Sequence, residues 1–215
     1  MTPINVAESV CVVGHAIETS ENAYFSKRKK HQRIELKTYD SICFLKEGSV
    51  SLYRLENGIL TVSLDAPAIL GLAQMRNEFK SHYLRCNNDC DLWVISVDDA
   101  ISLFNTEHLW MHAFDILTHH LQLYFQRENL VSHPKTGDIV KEHLRFIWAM
   151  PETERKRTSI YSYIQARNHI SRSAIHKEIQ TLSRSGNIQI EKGKLTKFNE
   201  QDMPSDQSSD VIISI

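Results

Sequence analysis

The chain reads as an α+β protein, a small β-roll followed by one long helix and a compact helical module, on three observations. Between residues 33 and 95, short β-branched and apolar runs alternate with turn signals at roughly even spacing, which favours a barrel or roll over a parallel sheet. From about Glu107 to Leu130 two adjacent apolar stripes run side by side at helical spacing. Beyond residue 137 the charge changes sign: residues 138–198 carry 12 Lys and Arg against 6 Asp and Glu, a net +6. The preceding 137 residues carry 13 against 16, and residues 199–215 carry 0 against 4, so the overall -1 hides a basic module between an acidic body and an acidic tail.

At 215 residues, 41% hydrophobic and 24% charged, the chain is long enough for two modest cores. It has no apolar run of about 18 residues and no basic segment leading into an apolar h-region, so neither a membrane partner nor a secretory route is expected and the location is read as cytoplasmic. Cys11, Cys43, Cys86 and Cys90 form no CxxC pair; as cytosolic thiols they read first as small core residues, with Cys86-x-x-x-Cys90 the one spacing of redox or metal interest.

Along the chain, residues 1–31 are weakly patterned, and Lys27-Arg28-Lys29-Lys30-His31 reads as a solvated basic run. Strands are predicted at 33–37, 41–45, 49–53, 60–64, 83–84 and 92–95, with Asn57-Gly58 marking a hairpin. Ser96 or Asp98 caps a helix through Phe104. In the long helix that follows, Trp110, Phe114, Leu117, Leu121 and Tyr124 form one stripe and Leu109, Ala113, Ile116, His120 and Leu123 the other. A helix apolar over so wide an arc needs two neighbours, and at about 36 Å it outruns a small roll. One stripe is therefore assigned to the roll and the other to a second subunit, making the protein a homodimer.

Ser132-His-Pro-Lys-Thr-Gly137 reads as a hinge and domain boundary. Val140, Leu144, Ile147 and Trp148 then mark one helix, and Ile160, Tyr163 and Ile164 a second. Asn168 can take the tight-turn conformation that a helix-turn-helix often gives to glycine, with Ile170 plugging the core between the helices. In the third helix Ile175, Ile179 and Leu182 recur at i, i+4, i+7 and should be buried, leaving Arg172, Ser173, His176, Lys177, Gln180 and Arg184 outward. Ser171 suits the N-cap and Gly186 the left-handed position past the last turn. Two short strands, 187–190 and 195–198, flank Glu191-Lys-Gly-Lys194, a wing whose Lys192 and Lys194 could lie on phosphates. In a basic module, a helix capped at both ends with one polar face reads as a recognition helix for double-stranded DNA.

The sequence thus specifies an N-terminal cupin-like β-roll over 1–106, a long dimerisation helix over 107–132, a C-terminal winged helix-turn-helix over 138–198 and an acidic tail over 199–215. Roll, long helix and winged helix in this order resemble the catabolite-activator/FNR superfamily of bacterial transcription regulators across nearly the whole chain. The stretch from Ile170 to Ile188 follows that family's pattern of Ser-Arg, apolar spacing, Leu, Gly and Ile ahead of the wing. In detail the chain is similar to the enterobacterial winged-helix regulators named for inhibition of hydrogen peroxide resistance. The resemblance implies a homodimer on a two-fold operator, with RNA polymerase as a further partner and oxidative stress as the setting. It also implies base reading by Arg172, the residue after it and Lys177. Ser173 stands where the family has an acidic reader, so the operator is not inherited. Arg172 keeps the ability to pair bidentately with guanine.

The superfamily's cyclic-nucleotide binders present Gly-Glu and then Arg-Ser/Thr-Ala around the ligand. Here the corresponding residues are Gly71-Leu72-Ala73 and Lys80-Ser81-His82. Leucine accepts no ribose bond and lysine lacks the planar fork, so no cyclic nucleotide and no cofactor is expected, with Lys80 and Ser81 left as the trace of an effector pocket. Eleven histidines leave haem open as a ligand, although none stands out.

No enzyme is read from this sequence. A cupin-like metal-dependent enzyme is the alternative from another class, but it needs a cluster of His and carboxylate ligands, and His31 and His82 stand apart in the chain. A ligand-free roll serving as a protein-interaction scaffold is the third reading. If peroxide is the signal, Cys86 and Cys90 are the thiols to test.

Overall fold

A computed structural model describes residues 5–36, 40–76, 81–131 and 135–199, with only the backbone for 128–131. Its contacts divide the chain into two compact units, Met1–Glu128 and Asn129–Ile215.

The first unit opens with a helix where weak patterning was expected: α1, Val6–Thr19. Asn5 caps it, its side-chain oxygen accepting from the Glu8 amide at 3.3 Å. Val10, Val13 and Ile17 are buried on the face turned to the roll. A Cβ added at Gly14 would sit 2.5 Å from the Phe44 ring, so this helix lies on its sheet at a distance only glycine permits there. Ser9 ties it to the long helix, its hydroxyl donating to Asp115 at 3.3 Å and lying 3.1 Å from His112 Nδ1.

Among the described residues eight strands follow: β1 Tyr24–Arg28, β2 Arg33–Ile34, β3 Ser41–Glu47, β4 Ser49–Arg54, β5 Leu60–Asp65, β6 Ala68–Leu70, β7 His82–Cys86 and β8 Cys90–Ser96. They form two four-stranded antiparallel sheets, ordered β1-β8-β3-β6 and β2-β7-β4-β5. β4 and β5 form the hairpin expected around Asn57-Gly58. Within β3 the stretch Ile42–Leu45 is apolar without a break because both its faces are covered. Cys43 and Leu45 join Leu84, Cys86, Cys90 and Leu92 between the sheets, whereas Ile42 and Phe44 turn outward onto the helices.

Ser96 caps α2 (Val97–Thr106) by accepting from the Asp99 amide at 3.1 Å. The long helix α3 runs Trp110–Val131, starting three residues later than its apolar periodicity suggested. The cause is a tight corner: His108 takes a left-handed conformation, φ 56°, and the Leu109 amide reaches back to the Phe104 carbonyl at 2.9 Å. Leu109, just before α3, and Ala113 and Ile116 on it are buried in the roll's core, while Trp110, Met111, Phe114, Leu121 and Phe125 are exposed; His120, Leu123 and Tyr124 are half-buried, so the division into two stripes holds only for the first half of the helix.

The second unit contains α4 Thr136–Ala149, α5 Glu152–Arg155, α6 Ile160–Arg167, α7 Arg172–Arg184 and the two-stranded wing β9 Ile188–Glu191 and β10 Lys194–Phe198. Thr136 and Gly137, read from sequence as part of a turn-rich hinge, already belong to α4. Its helical pattern outweighs two poor helix formers because Val140, Leu144 and Ile147 are wholly buried. Residues 132–134 of that hinge and the acidic tail from 200 onward lie outside the described residues.

Candidate nucleic-acid interface

The core of the second unit decides which face α7 offers. Ile175, Ile179 and Leu182 pack among Ile160 and Ile164 of α6, Leu144 of α4, and Ile188 and Leu195 of the wing. Their burial leaves Arg172, Ser173, His176, Lys177, Gln180 and Arg184 exposed along the opposite side. Both ends are finished as the sequence indicated. The Ser171 hydroxyl accepts from the Ala174 amide at 3.2 Å, and Gly186 adopts φ +78° just past the last turn.

Tyr161 on α6 was not visible as a functional residue in the sequence, yet it organises this face. Its hydroxyl lies 2.9 Å from His176 Nδ1, and the Arg172 guanidinium sits 4.8 Å from the centre of its ring. Two residues one turn apart on α7 are thus held by one aromatic side chain of the preceding helix. Fixing a long arginine before it meets a partner lowers the side-chain entropy lost on binding. Lys177 and Gln180 project without a protein partner among the described residues, and Ser173 bonds back to Ser171, Oγ to Oγ 3.0 Å.

In the wing the two lysines differ. Lys192 is exposed at the turn, in a left-handed conformation with φ 49°. Lys194 is half-buried and its ammonium donates to the Arg157 carbonyl, which ties the wing to the loop before α6. The Ile160 amide donates to the Gly193 carbonyl at 3.1 Å and adds to the same tie. Lys197, exposed on β10, is a cation that the sequence reading passed over.

Asn168 corrects an expectation. It is extended, φ -144° and ψ 150°, rather than left-handed. The reason is its side chain: buried at the α6–α7 corner, it bonds His143 Nε2 on α4, and an extended backbone aims it there. Ile170 is half-buried against the same core, as the sequence implied.

The remaining predicted residues lie in the roll. Lys80 falls outside the described residues. Ser81 is exposed, its Oγ 2.8 Å from His82 Nδ1. Cys86 and Cys90 face the space between the sheets at 0% and 1% exposure, and Cys90 Sγ donates to the Ser49 and Asn88 carbonyls at 3.4 Å. Burial, reinforced by the neighbouring Cys90, pushes the Cys86 thiol up to about 12. That is the environment of a core thiol, because oxidant chemistry runs through an accessible thiolate. Among the described residues no group of three His, Cys, Asp or Glu side chains is placed to hold a metal ion, and no helix is long and apolar enough to cross a membrane.

Comparison with known proteins places this geometry. A family profile described as winged helix-turn-helix DNA binding matches residues 136–205. The chain is 31% identical over 164 residues to the inhibitor of hydrogen peroxide resistance of Escherichia coli K12, covering 74% of this chain and 76% of that protein. Among solved structures, a protein described as a Crp/Fnr-family transcriptional regulator of Eubacterium rectale superposes with a TM-score of 0.64 at 15% identity, over 87% of this chain and 90% of the other. The c-di-GMP responsive global regulator CLP of Xanthomonas campestris superposes with a TM-score of 0.63 at 12% identity, over 90% and 99%. At such identities these two likenesses concern the fold: a sheet domain and a winged helix in Crp/Fnr order.

Proposed function

The chain belongs to the family of the inhibitor of hydrogen peroxide resistance, and from that premise we propose a homodimeric, sequence-specific regulator whose two α7 helices read a two-fold operator. Its second unit is a winged helix-turn-helix DNA-binding domain and the protein is a transcription regulator. The proposal adds the stoichiometry and the residues that do the reading.

The observation that carries it is the outward face of α7. Arg172 and His176 are held on Tyr161, Lys177 and Gln180 stand ready beside them, and the whole lies in a module of net charge +6. Arg172 presents the fork that pairs with guanine O6 and N7; Gln180 has the amide that pairs with adenine. Lys192 and Lys197 are the wing cations that would meet phosphates and set register without reading sequence. Lys194 contributes by holding the wing in place.

The exposed stripe of α3 supports the second subunit. A row of Trp110, Phe114, Leu121 and Phe125 turned to solvent is an apolar face of the kind that oligomers cover. Two-fold packing of two such helices would give the dimer two recognition helices, and the two-fold operator proposed for it offers them successive major grooves about 34 Å apart. A dimer bound beside a promoter in the cytoplasm would have RNA polymerase within reach, and the relatives' name directs the search for target genes to peroxide resistance.

The test is selection of bound duplexes from a random pool, followed by titration on the selected site. The selected sequences should be two-fold symmetric. Arg172→Ala should weaken binding about 10- to 100-fold and relax one guanine position, following the about 1 to 3 kcal/mol of a bidentate pair. Lys177→Ala should also weaken it. Selected sites without symmetry would defeat the dimer, and unchanged binding by both variants would defeat this face.

A further inference from the structure

The outward face of α7 and the wing beside it carry positive charge that the folded second unit does not balance. Arg172, Lys177 and Arg184 are exposed on the helix, and Lys192 and Lys197 on the wing. Among the described residues none of these five pairs with a carboxylate. Lys141 and Arg145 on α4 and Lys156 just past α5 differ, for each meets an acidic neighbour: Asp138, Glu142 and Glu152. α7 itself has one carboxylate, the half-buried Glu178, and the wing has one, Glu191. Cations gathered on one face repel one another and draw an anion to it.

A matching countercharge exists in the same chain. Glu200-Gln-Asp-Met-Pro-Ser-Asp-Gln-Ser-Ser-Asp210 holds four carboxylates and no lysine or arginine. Its point of departure is defined: the Asn199 amide donates to the Asn187 carbonyl at 2.8 Å, and Asn187 directly follows Gly186 at the C-terminal end of α7. The acidic segment therefore begins beside the last turn of α7. That helix, 13 residues, is about 20 Å long, whereas eleven residues of extended chain span up to about 36 Å. The segment has the length to follow α7 from Arg184 back to Arg172.

We propose that this face is also a docking surface for the chain's own acidic segment, residues 200–210, which lies on it in place of DNA phosphates. The inference rests on the reading of α7 as the DNA-contacting face. Exposed ion pairs are individually weak, but the tether supplies an effective concentration of about millimolar, so four of them together suffice for partial occupancy. A duplex then binds only once the segment has left. Operator and random DNA are weakened by one common factor, and the ratio between them is unchanged. Salt screens the segment from the face, so that factor shrinks towards one as the ionic strength rises.

Two measurements on the full chain test this, the first without DNA. A carbodiimide joins carboxylates to amines in contact, and mass spectrometry of the digest locates the new amides. Asp202, Asp206 or Asp210 should be joined to Lys177 and Lys192 in excess over Lys135 and Lys141, which belong to α4, the helix packed on the buried stripe of α7. About 0.5 M KCl should remove the excess. Equal yields on all four lysines would overturn the proposal, and so would amides formed only with lysines of the first unit.

In the second measurement Glu200→Gln, Asp202→Asn, Asp206→Asn and Asp210→Asn are combined, which removes charge and leaves shape. At about 50 mM KCl this variant should bind a selected duplex about 5- to 20-fold more tightly than wild type, and a random duplex by the same factor. At about 400 mM the two proteins should coincide. Unchanged affinity at low salt would overturn the proposal. A chain that binds no duplex in either form fails the DNA reading, and the cross-links, made without DNA, still decide the docking.

Discussion

Replacing Phe114 by alanine is the sharpest test of the second subunit, because this side chain belongs to α3 but not to the core beneath it. Phe114 is 62% exposed in the single chain, whereas Ile116, two residues on, is fully buried. An aromatic side chain offers about 200 Å² for burial, so about 120 Å² of Phe114 is available to a partner, about 3 kcal/mol at 25 cal/mol per Å². Truncation to alanine should forfeit about 2 kcal/mol of that, and two-fold symmetry counts it twice. The predicted loss of about 4 kcal/mol is about a thousandfold in the dimer dissociation constant, falling towards a hundredfold if the ring lies at the rim of the seam. Sedimentation velocity over a dilution series reads this directly. The fold should hold: the melting temperature of the monomeric variant should match that of dissociated wild type. Ile116→Ala should instead cost about 2 to 5 kcal/mol of stability through the cavity it leaves. A Phe114→Ala dimer as tight as wild type would refute the assignment of this stripe to a second copy.

Two further outcomes follow from the geometry. Tyr161→Phe should keep the ring beneath Arg172 and lose the bond to His176, weakening operator binding severalfold; Tyr161→Ala should lose both, about 5- to 50-fold by the usual size of one such bond and one cation–π contact. Titration of the alanine variant with wild-type affinity would show that Arg172 needs no support. His120, lowered to about 4 mainly by burial and secondarily by His119, is neutral in the fold where the unfolded chain protonates near 6.5. The unfolded state therefore binds more protons between those values, so stability is intact above about pH 6.5 and drains away as the pH falls towards 4, by up to about 3 kcal/mol. Melting temperatures from pH 7 to 5 should fall more steeply for wild type than for His120→Gln, and parallel curves would contradict this.

Local pattern carried the winged helix a long way. Ile175, Ile179 and Leu182 give the orientation of α7 from spacing alone, and Ser171 and Gly186 mark its ends because caps are short-range chemistry. The same holds for the hairpin at Asn57-Gly58 and the Ser96 cap. Helix α1 was within reach as well: Val6, Val10, Val13 and Ile17 have helical spacing, obscured by β-branched residues that lower helix propensity and owe their helix to the sheet they cover. The α6–α7 corner shows the limit of a local rule. Asn168 has the residue type of a left-handed turn, but a bond to His143, 25 residues earlier, sets its backbone instead.

By itself, then, the sequence determined the order of the elements, the polar face of α7 and the charge of the module that bears it, because these depend on periodicity and composition within a few turns of chain. The tertiary structure alone decided that Tyr161 holds Arg172 and His176, that Lys194 braces the wing while Lys192 stays exposed, and that Cys86 and Cys90 are core thiols. It also brought Gln74, His82 and His120 to the wall of one largely apolar cavity. Each of these is a meeting of residues far apart in the chain, and only packing, which closes those loops at once, settles which side chains meet.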